Sequence, residues 1–217
     1  MAAVLMLDLD NTVADREAAF LAWADSKAKQ WAPNQPEAVA FLVEEDADGI
    51  RARDEFFALL AERFRLSDPV EALVAEYRRE LRAALPPLRE DVKERLGALR
   101  AAGWKIALVT NGDAEVQAGK VDQLGLSPFL DACCISGAVG VRKPDPRIFQ
   151  IAAERCGKAL GGAWMVGDSE ADIVGAHRAG ISSIWLRRGR IWPRADLRPH
   201  HTVSDLADAL SILTAAT

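Results

Sequence analysis

The sequence lacks the features that mark secreted, membrane and nucleic-acid-binding proteins. Its three cysteines, Cys133, Cys134 and Cys156, match neither a disulfide framework nor a metal site, so we interpret them as reduced core thiols. No uninterrupted apolar run approaches the roughly 20 residues that cross a bilayer. The net charge of −5 provides no general attraction for nucleic acid or an anionic membrane. We therefore expect a soluble cytoplasmic protein whose partners include neither nucleic acid nor a membrane.

Signatures of dinucleotide, P-loop and zinc sites are also absent. The chain has no Gly-x-Gly-x-x-Gly and no Gly-x4-Gly-Lys-Ser/Thr sequence. His177, His200 and His201 do not combine with cysteine at zinc-ligand spacing. Half of the 217 residues are nevertheless apolar, which is enough for a substantial core. A small anionic ligand would have to be bound by local cations and a metal.

Strands and helices alternate along most of the chain. The predicted strands cover residues 2–7, 104–109, 132–135, 163–166 and 182–186, and predicted helices lie near 90–102, 114–124, 146–156 and 171–179. This alternation predicts an α/β fold, a doubly wound parallel Rossmann-like sheet with right-handed crossovers.

One long segment interrupts the alternation. Between residues 16 and 87 the apolar residues follow helical spacing only, and proline-rich or Asp/Gly-rich breakers divide the segment into about four helices. Because it leaves after the first strand and returns before the first core helix, it predicts an inserted all-helical cap domain. We expect a core of residues 1–15 and 88–217 and a cap of residues 16–87 that acts as a lid.

Two carboxylates follow the first predicted strand directly. Asp8 and Asp10 lie where a buried parallel strand ends, and open α/β sheets place their active sites at that edge. Asp8 could serve as a nucleophile and Asp10 as a general acid and base. Taken alone, the pair could equally be turn residues that bind their own backbone.

Three later sites strengthen the interpretation. Thr110 closes the second strand and Asn111 turns away from it, at a place where a hydroxyl and backbone N–H groups can bind phosphoryl oxygens. Lys143 precedes a proline and supplies a cation. Asp168 and Asp172 follow an apolar strand, and they either cap a helix or ligate Mg²⁺ together with Asp8 and the Asp10 carbonyl. The combination predicts a magnesium phosphoryl-transfer site.

With these motifs in this order, the chain resembles the haloacid dehalogenase superfamily of phosphatases with an α-helical cap. The resemblance covers the whole core. It implies the following roles: Asp8 as nucleophile, Asp10 as general acid/base, Thr110 and Asn111 as phosphoryl ligands, Lys143 as charge clamp, and Asp168 with Asp172 at the metal. The implied reaction is hydrolysis of a small phosphorylated metabolite through a phosphoaspartyl intermediate.

Several alternatives remain open at this level. A phosphomutase such as β-phosphoglucomutase would keep every motif, whereas dehalogenases resemble the phosphatases but lack the acid two residues after the nucleophile. A non-enzymatic module would be expected to lose one of the motif residues, and none is missing. Neither the substrate nor the oligomeric state is readable. The arginines at 187–198 are interpreted as a solvated loop rather than an anion site.

Overall fold

The computed structural model describes residues 3–215, which form two compact units. One unit comprises the residues up to Ala14 together with those from Pro87 onward, and the other comprises Asp15–Pro86. The chain enters the second unit after the first strand and leaves it before the next core helix. Within the described residues, no helix is both long and apolar enough to span a bilayer.

The first unit is built on a six-stranded sheet whose paired strands are all parallel. The strands are β1 (Val4–Leu7), β2 (Lys105–Thr110), β3 (Ala132–Ile135), β4 (Trp164–Gly167), β5 (Ser182–Leu186) and β6 (His201–Val203), and their order in the sheet is β3-β2-β1-β4-β5-β6. The strand order changes direction at β1, which pairs with both β2 and β4. That point of a parallel sheet is where ligands bind.

Helices of this unit connect the strands. They are α5 (Glu90–Ala101), α6 (Ala114–Gln123), the short α7 (Ser136–Val139), α8 (Arg147–Arg155), α9 (Glu170–Arg178) and α10 (Leu206–Ala215). All four residues of β1 are fully buried, as expected for a central parallel strand. One close contact joins α8 to α9, because a Cβ at Gly175 would lie only 2.6 Å from the Phe149 ring.

The second unit contains helices only. Its elements are α1 (Arg16–Trp31), α2 (Ala38–Asp46), a 3₁₀ turn (Ala47–Gly49), α3 (Arg53–Phe64) and α4 (Val70–Ala83). Their apolar faces meet in an aromatic cluster in which the rings of Trp23 and Tyr77 are 4.9 Å apart. Beside the cluster, Arg16 and Arg53 each donate to Asp46 Oδ1 at 2.7 Å. These ion pairs let charged side chains lie within a small apolar core.

The predicted α/β class with its inserted helical unit is confirmed. Differences lie at boundaries and at the C-terminal end. The first strand begins at Val4, and the predicted Ala2 falls outside the described residues. Neither β6 nor α10 was predicted: β6 has only three residues, two of them exposed, and so lacks a buried apolar run. The apolar face of α10, with Leu206, Leu210 and Leu213 buried, does follow helical spacing and could have been recognised.

Candidate active site

The polar residues predicted from sequence lie at one edge of the sheet. Asp8 follows β1, Thr110 is the last residue of β2, and Asp168 follows β4. These three strands are adjacent and parallel, so their carboxyl ends meet at the same edge. All three side chains are buried, and burial is unusual for the two aspartates.

Lys143 lies at the centre of this group. Its Nζ is 2.6 Å from Asp8 Oδ1 and 2.6 Å from the carbonyl oxygen of Val109. Asp172 Oδ1 is also 2.6 Å away, in the geometry of an ion pair rather than a directed hydrogen bond. Lys143 is only 3% exposed, so its charge is compensated by these carboxylates instead of by water.

Burial and charge together set the protonation behaviour of the group. Burial raises the pKa of Asp8 from 3.8 to about 7; Lys143 opposes this rise, and the charges of Asp172 and Asp168 add to it. Burial opposes the charged form of Lys143, but Asp172 and Asp8 outweigh it and raise the Lys143 pKa. Burial, followed by the charge of Asp172, raises the pKa of Asp168 as well. The site therefore holds more negative charge than the lysine alone can offset.

The two carboxylate oxygens of Asp172 have different partners, one in the helix cap and one at Lys143. Its Oδ2 accepts hydrogen bonds from Ser169 N at 2.9 Å and Ser169 Oγ at 2.6 Å, which completes a capping box at the start of α9. Its Oδ1 faces Lys143 instead. Gly167 makes this approach possible, because a Cβ there would lie 2.6 Å from the Cβ of Asp172. The cap thus orients the carboxylate toward the site.

Asp8, Asp168 and Asp172 form a cluster suited to a metal. One carboxyl oxygen from each lies within 4.8 Å of the others. Mg²⁺ prefers such oxygen ligands and needs few of them, because it retains several waters. Asp172 Oδ1 is buried and outside the capping box, and its contact in this cluster is the ion pair with Lys143 rather than a directed hydrogen bond. The residues present fit a hard divalent cation.

Two arginines contact this cluster, contrary to the interpretation of residues 187–198 as a solvated loop. Arg188 Nη1 and Arg190 Nη2 lie 3.0 and 2.9 Å from Asp168 Oδ2. Trp185 Nε1 donates to the Asp168 carbonyl at 2.8 Å. Charged residues after a strand look alike in sequence whether they are solvated or paired, so nothing in the pattern distinguished these two.

Thr110 and Asn111 differ in what they contact. The Thr110 hydroxyl accepts a hydrogen bond from Gln117 Nε2 at 2.8 Å. The Asn111 side chain binds the backbone of Lys143 in both directions: Lys143 N donates to Oδ1 at 2.8 Å and Nδ2 donates to the Lys143 carbonyl at 3.0 Å. The Asn111 amide therefore fixes the position of Lys143, and its predicted phosphoryl contact remains a prediction.

The carboxylate of Asp10 is bound by residues that the sequence analysis did not identify. Lys120 Nζ lies 2.6 and 2.7 Å from its two oxygens, and Gln117 Nε2 donates to Oδ2 at 3.0 Å. This carboxylate is not one of the three in the metal cluster. The role predicted for Asp10 at the metal concerned its main-chain carbonyl oxygen, and it stays a prediction.

Comparisons with known proteins point to one family. A family model described as haloacid dehalogenase-like hydrolase matches residues 2–180. The phosphoserine phosphatase of Thermus thermophilus is 35% identical over 145 residues, which are 66% of this chain and 56% of that protein. The (S)-2-haloacid dehalogenase 4A of Burkholderia cepacia is 26% identical over 97% of this chain and 88% of that protein.

Solved structures share the fold. The HAD-hydrolase YfnB of Bacillus subtilis has a TM-score of 0.80 at 24% identity and covers 98% of both chains. A protein described as a β-phosphoglucomutase of Thermotoga maritima has a TM-score of 0.82 at 20% identity over the full length of both. The chain spans about half the length of the first curated phosphatases that it matches, 56% and 52%. The low structural identities support the fold alone.

Proposed function

Because the chain belongs to the haloacid dehalogenase-like hydrolases, we propose that it is a magnesium-dependent phosphatase of small phosphomonoesters. The observation that carries the proposal is the buried group formed by Asp8, Lys143, Asp168 and Asp172. It combines a carboxylate nucleophile, a cation for the phosphoryl group and a set of metal ligands. The curated relatives include phosphatases of phosphoserine and glyceraldehyde 3-phosphate, which is the substrate class we propose.

The proposed reaction has two displacements at phosphorus. An Asp8 oxygen attacks the phosphoryl group, the bond to the ester oxygen breaks, and Asp10 donates its proton to the departing alcohol. Asp10, then a carboxylate, takes a proton from water. The water oxygen attacks the phosphoaspartate, and the bond between phosphorus and Asp8 breaks to release inorganic phosphate. The first displacement needs Asp10 protonated and the second needs it as a carboxylate. The first step leaves Asp10 in the state that the second requires.

In this proposal the other residues position the phosphoryl group and compensate its charge. Lys143 and the Thr110 hydroxyl would bind phosphoryl oxygens, joined by the main chain at Asn111. Mg²⁺ bound by Asp8, Asp168, Asp172 and the Asp10 carbonyl would neutralise the charge of the phosphoryl group and align it for in-line attack. We further propose that the helical segment 16–87 selects the substrate and excludes water during the reaction, because the motif residues recognise only the phosphoryl group.

Two relatives define the competing functions. A haloacid dehalogenase forms an ester at the same nucleophile but has no leaving oxygen to protonate, so it has no use for Asp10. Here the Asp10 carboxylate is held by two buried side chains, which favours the phosphatase. A phosphomutase would retain the same residues and transfer the phosphoryl group to a second sugar hydroxyl instead of to water.

The proposal is tested by phosphate release from a panel of phosphorylated metabolites, with and without a chelator. We expect turnover that requires Mg²⁺, that is abolished in Asp8→Asn and that yields free phosphate. Lys158→Met, at an exposed position, is the matched control and should act like the wild type. Halide release from a 2-haloacid, isomerisation of a sugar phosphate without phosphate release, or full activity in excess chelator would each contradict the proposal.

A further inference from the structure

The surroundings of Asp10 are more elaborate than a turn residue requires. Both of its carboxyl oxygens are bound by Lys120, and Oδ2 is also bound by Gln117. Lys120 is 6% exposed and Gln117 is 2% exposed. Removing a lysine from water is costly unless its charge is matched, so the ion pair is maintained against an appreciable desolvation penalty. A paired carboxylate with both oxygens bound cannot change rotamer freely.

Gln117 also connects Asp10 to the second motif. Its Nε2 donates to the Thr110 hydroxyl at 2.8 Å in addition to Asp10. The Thr110 oxygen accepts this bond, and its own hydrogen remains for another acceptor. Its contact with the Asn111 carbonyl is 3.5 Å long, at the limit for a hydrogen bond. One amide therefore orients both the proposed proton-transfer residue and a proposed phosphoryl ligand.

The local backbone places both side chains on the side of α6 that faces Asp10. Gln117 and Lys120 are three residues apart on α6, so they lie on the same helix face. The helix begins next to the second motif, with Asp113 as its N-cap, whose side chain accepts from Glu115 N and Val116 N. A Cβ at Gly112 would lie 2.8 Å from Gln117 Cγ, so the glycine makes room for that side chain.

We propose that Lys120 and Gln117 are positioning residues that hold the Asp10 carboxylate in the geometry needed for proton transfer. The inference rests on the proposed phosphatase function. Neither side chain needs to touch the substrate. Their effect should therefore appear in the steps that use Asp10, which are protonation of the leaving group and activation of water, and not in phosphoryl binding.

The test compares Lys120→Met and Gln117→Leu with the wild type on alkyl and activated aryl phosphates. For Lys120→Met we expect kcat on an alkyl phosphate to fall at least ~100-fold, the magnitude typical of lost acid–base catalysis. Formation of the phosphoenzyme from the aryl ester should fall less than ~5-fold, because a good leaving group needs no acid. Phosphoaspartate should consequently accumulate and be visible by intact mass after an acid quench. Gln117→Leu should show the same pattern more weakly.

Controls separate positioning from a loss of folding. Lys120→Arg should recover part of the alkyl-phosphate activity, and Lys158→Met should match the wild type throughout. Equal losses on both ester classes, or wild-type activity on alkyl phosphates in Lys120→Met, would overturn the inference while leaving the phosphatase function intact. A wild-type protein that hydrolyses no phosphomonoester would overturn the proposed function and this inference with it. An Asp8→Asn protein that still forms the adduct would show that the nucleophile was misassigned.

Discussion

Replacing the proposed nucleophile, Asp8→Asn, should make the metal-free protein more stable at neutral pH. Burial raises the pKa of Asp8 from 3.8 to about 7 despite the opposing charge of Lys143. A carboxyl group that holds its proton more tightly in the folded state makes the free energy of unfolding fall as pH rises through this range. The contribution of Asp8 to wild-type stability should thus be greatest below about pH 4, fall between pH 4 and pH 7, and level off above pH 7. Asparagine cannot titrate and should remove this loss.

The magnitude follows from the two pKa values. A rise from 3.8 to about 7 corresponds to ~4 kcal/mol at ~1.4 kcal/mol per pKa unit. Part of this gain is lost because the asparagine amide can place an N–H group, rather than an oxygen, against the Lys143 ammonium. We therefore expect a net gain of ~2 kcal/mol at pH 8, or about 4–8 °C in Tm for a protein of this size.

The measurement is thermal and denaturant unfolding at several pH values from 5 to 8 in the presence of a chelator. Asp10→Asn is the matched control, because it removes a carboxylate that is already paired with Lys120 and should lower stability. Saturating Mg²⁺ should narrow or reverse the advantage of Asp8→Asn, since only the wild type keeps the full ligand set. The reasoning would be refuted if Asp8→Asn were less stable than the wild type at pH 8. It would also be refuted if the stability difference between them did not grow from pH 5 to pH 8.

Two further variants probe the metal cluster. Gly167→Ala should displace Asp172, which should lower the free energy of unfolding by about 1–3 kcal/mol and weaken Mg²⁺ binding, measured by calorimetry, at least ~10-fold. Gly97→Ala is the control: a Cβ there meets nothing within 4 Å, so Mg²⁺ binding should be unchanged. Arg190→Ala should strengthen Mg²⁺ binding roughly tenfold at low salt, and less at high salt, because it removes a positive charge 2.9 Å from Asp168 Oδ2; weaker binding would contradict this account.

The sequence identified the residues at the strand ends because their positions depend on local patterns. A buried apolar run followed directly by Asp8 predicts a parallel strand with a carboxylate at its functional edge. The same reasoning places Thr110 at the end of β2 and Asp168 directly after β4. Helical spacing without strands likewise predicted the inserted helical unit. In each case the determining contacts lie within a few residues, where periodicity is informative.

Other parts of the site depend on which strands are neighbours. Lys120 lies 110 residues from Asp10 along the chain, and it reaches Asp10 only because β2, which precedes α6, pairs with β1. Arg188 and Arg190 reach Asp168 for the corresponding reason, since β5 pairs with β4. Sequence pattern does not specify the order of parallel strands of similar composition.

The chain by itself therefore determined which residues stand at the functional edge of the sheet and that a helical unit is inserted after the first strand. Only the tertiary structure decided the partners of those residues. A long charged side chain on a helix or loop has the same sequence signature whether it is solvated or buried in an ion pair, as Lys120 is with Asp10. The difference arises from the distant group that folding brings within hydrogen-bond distance.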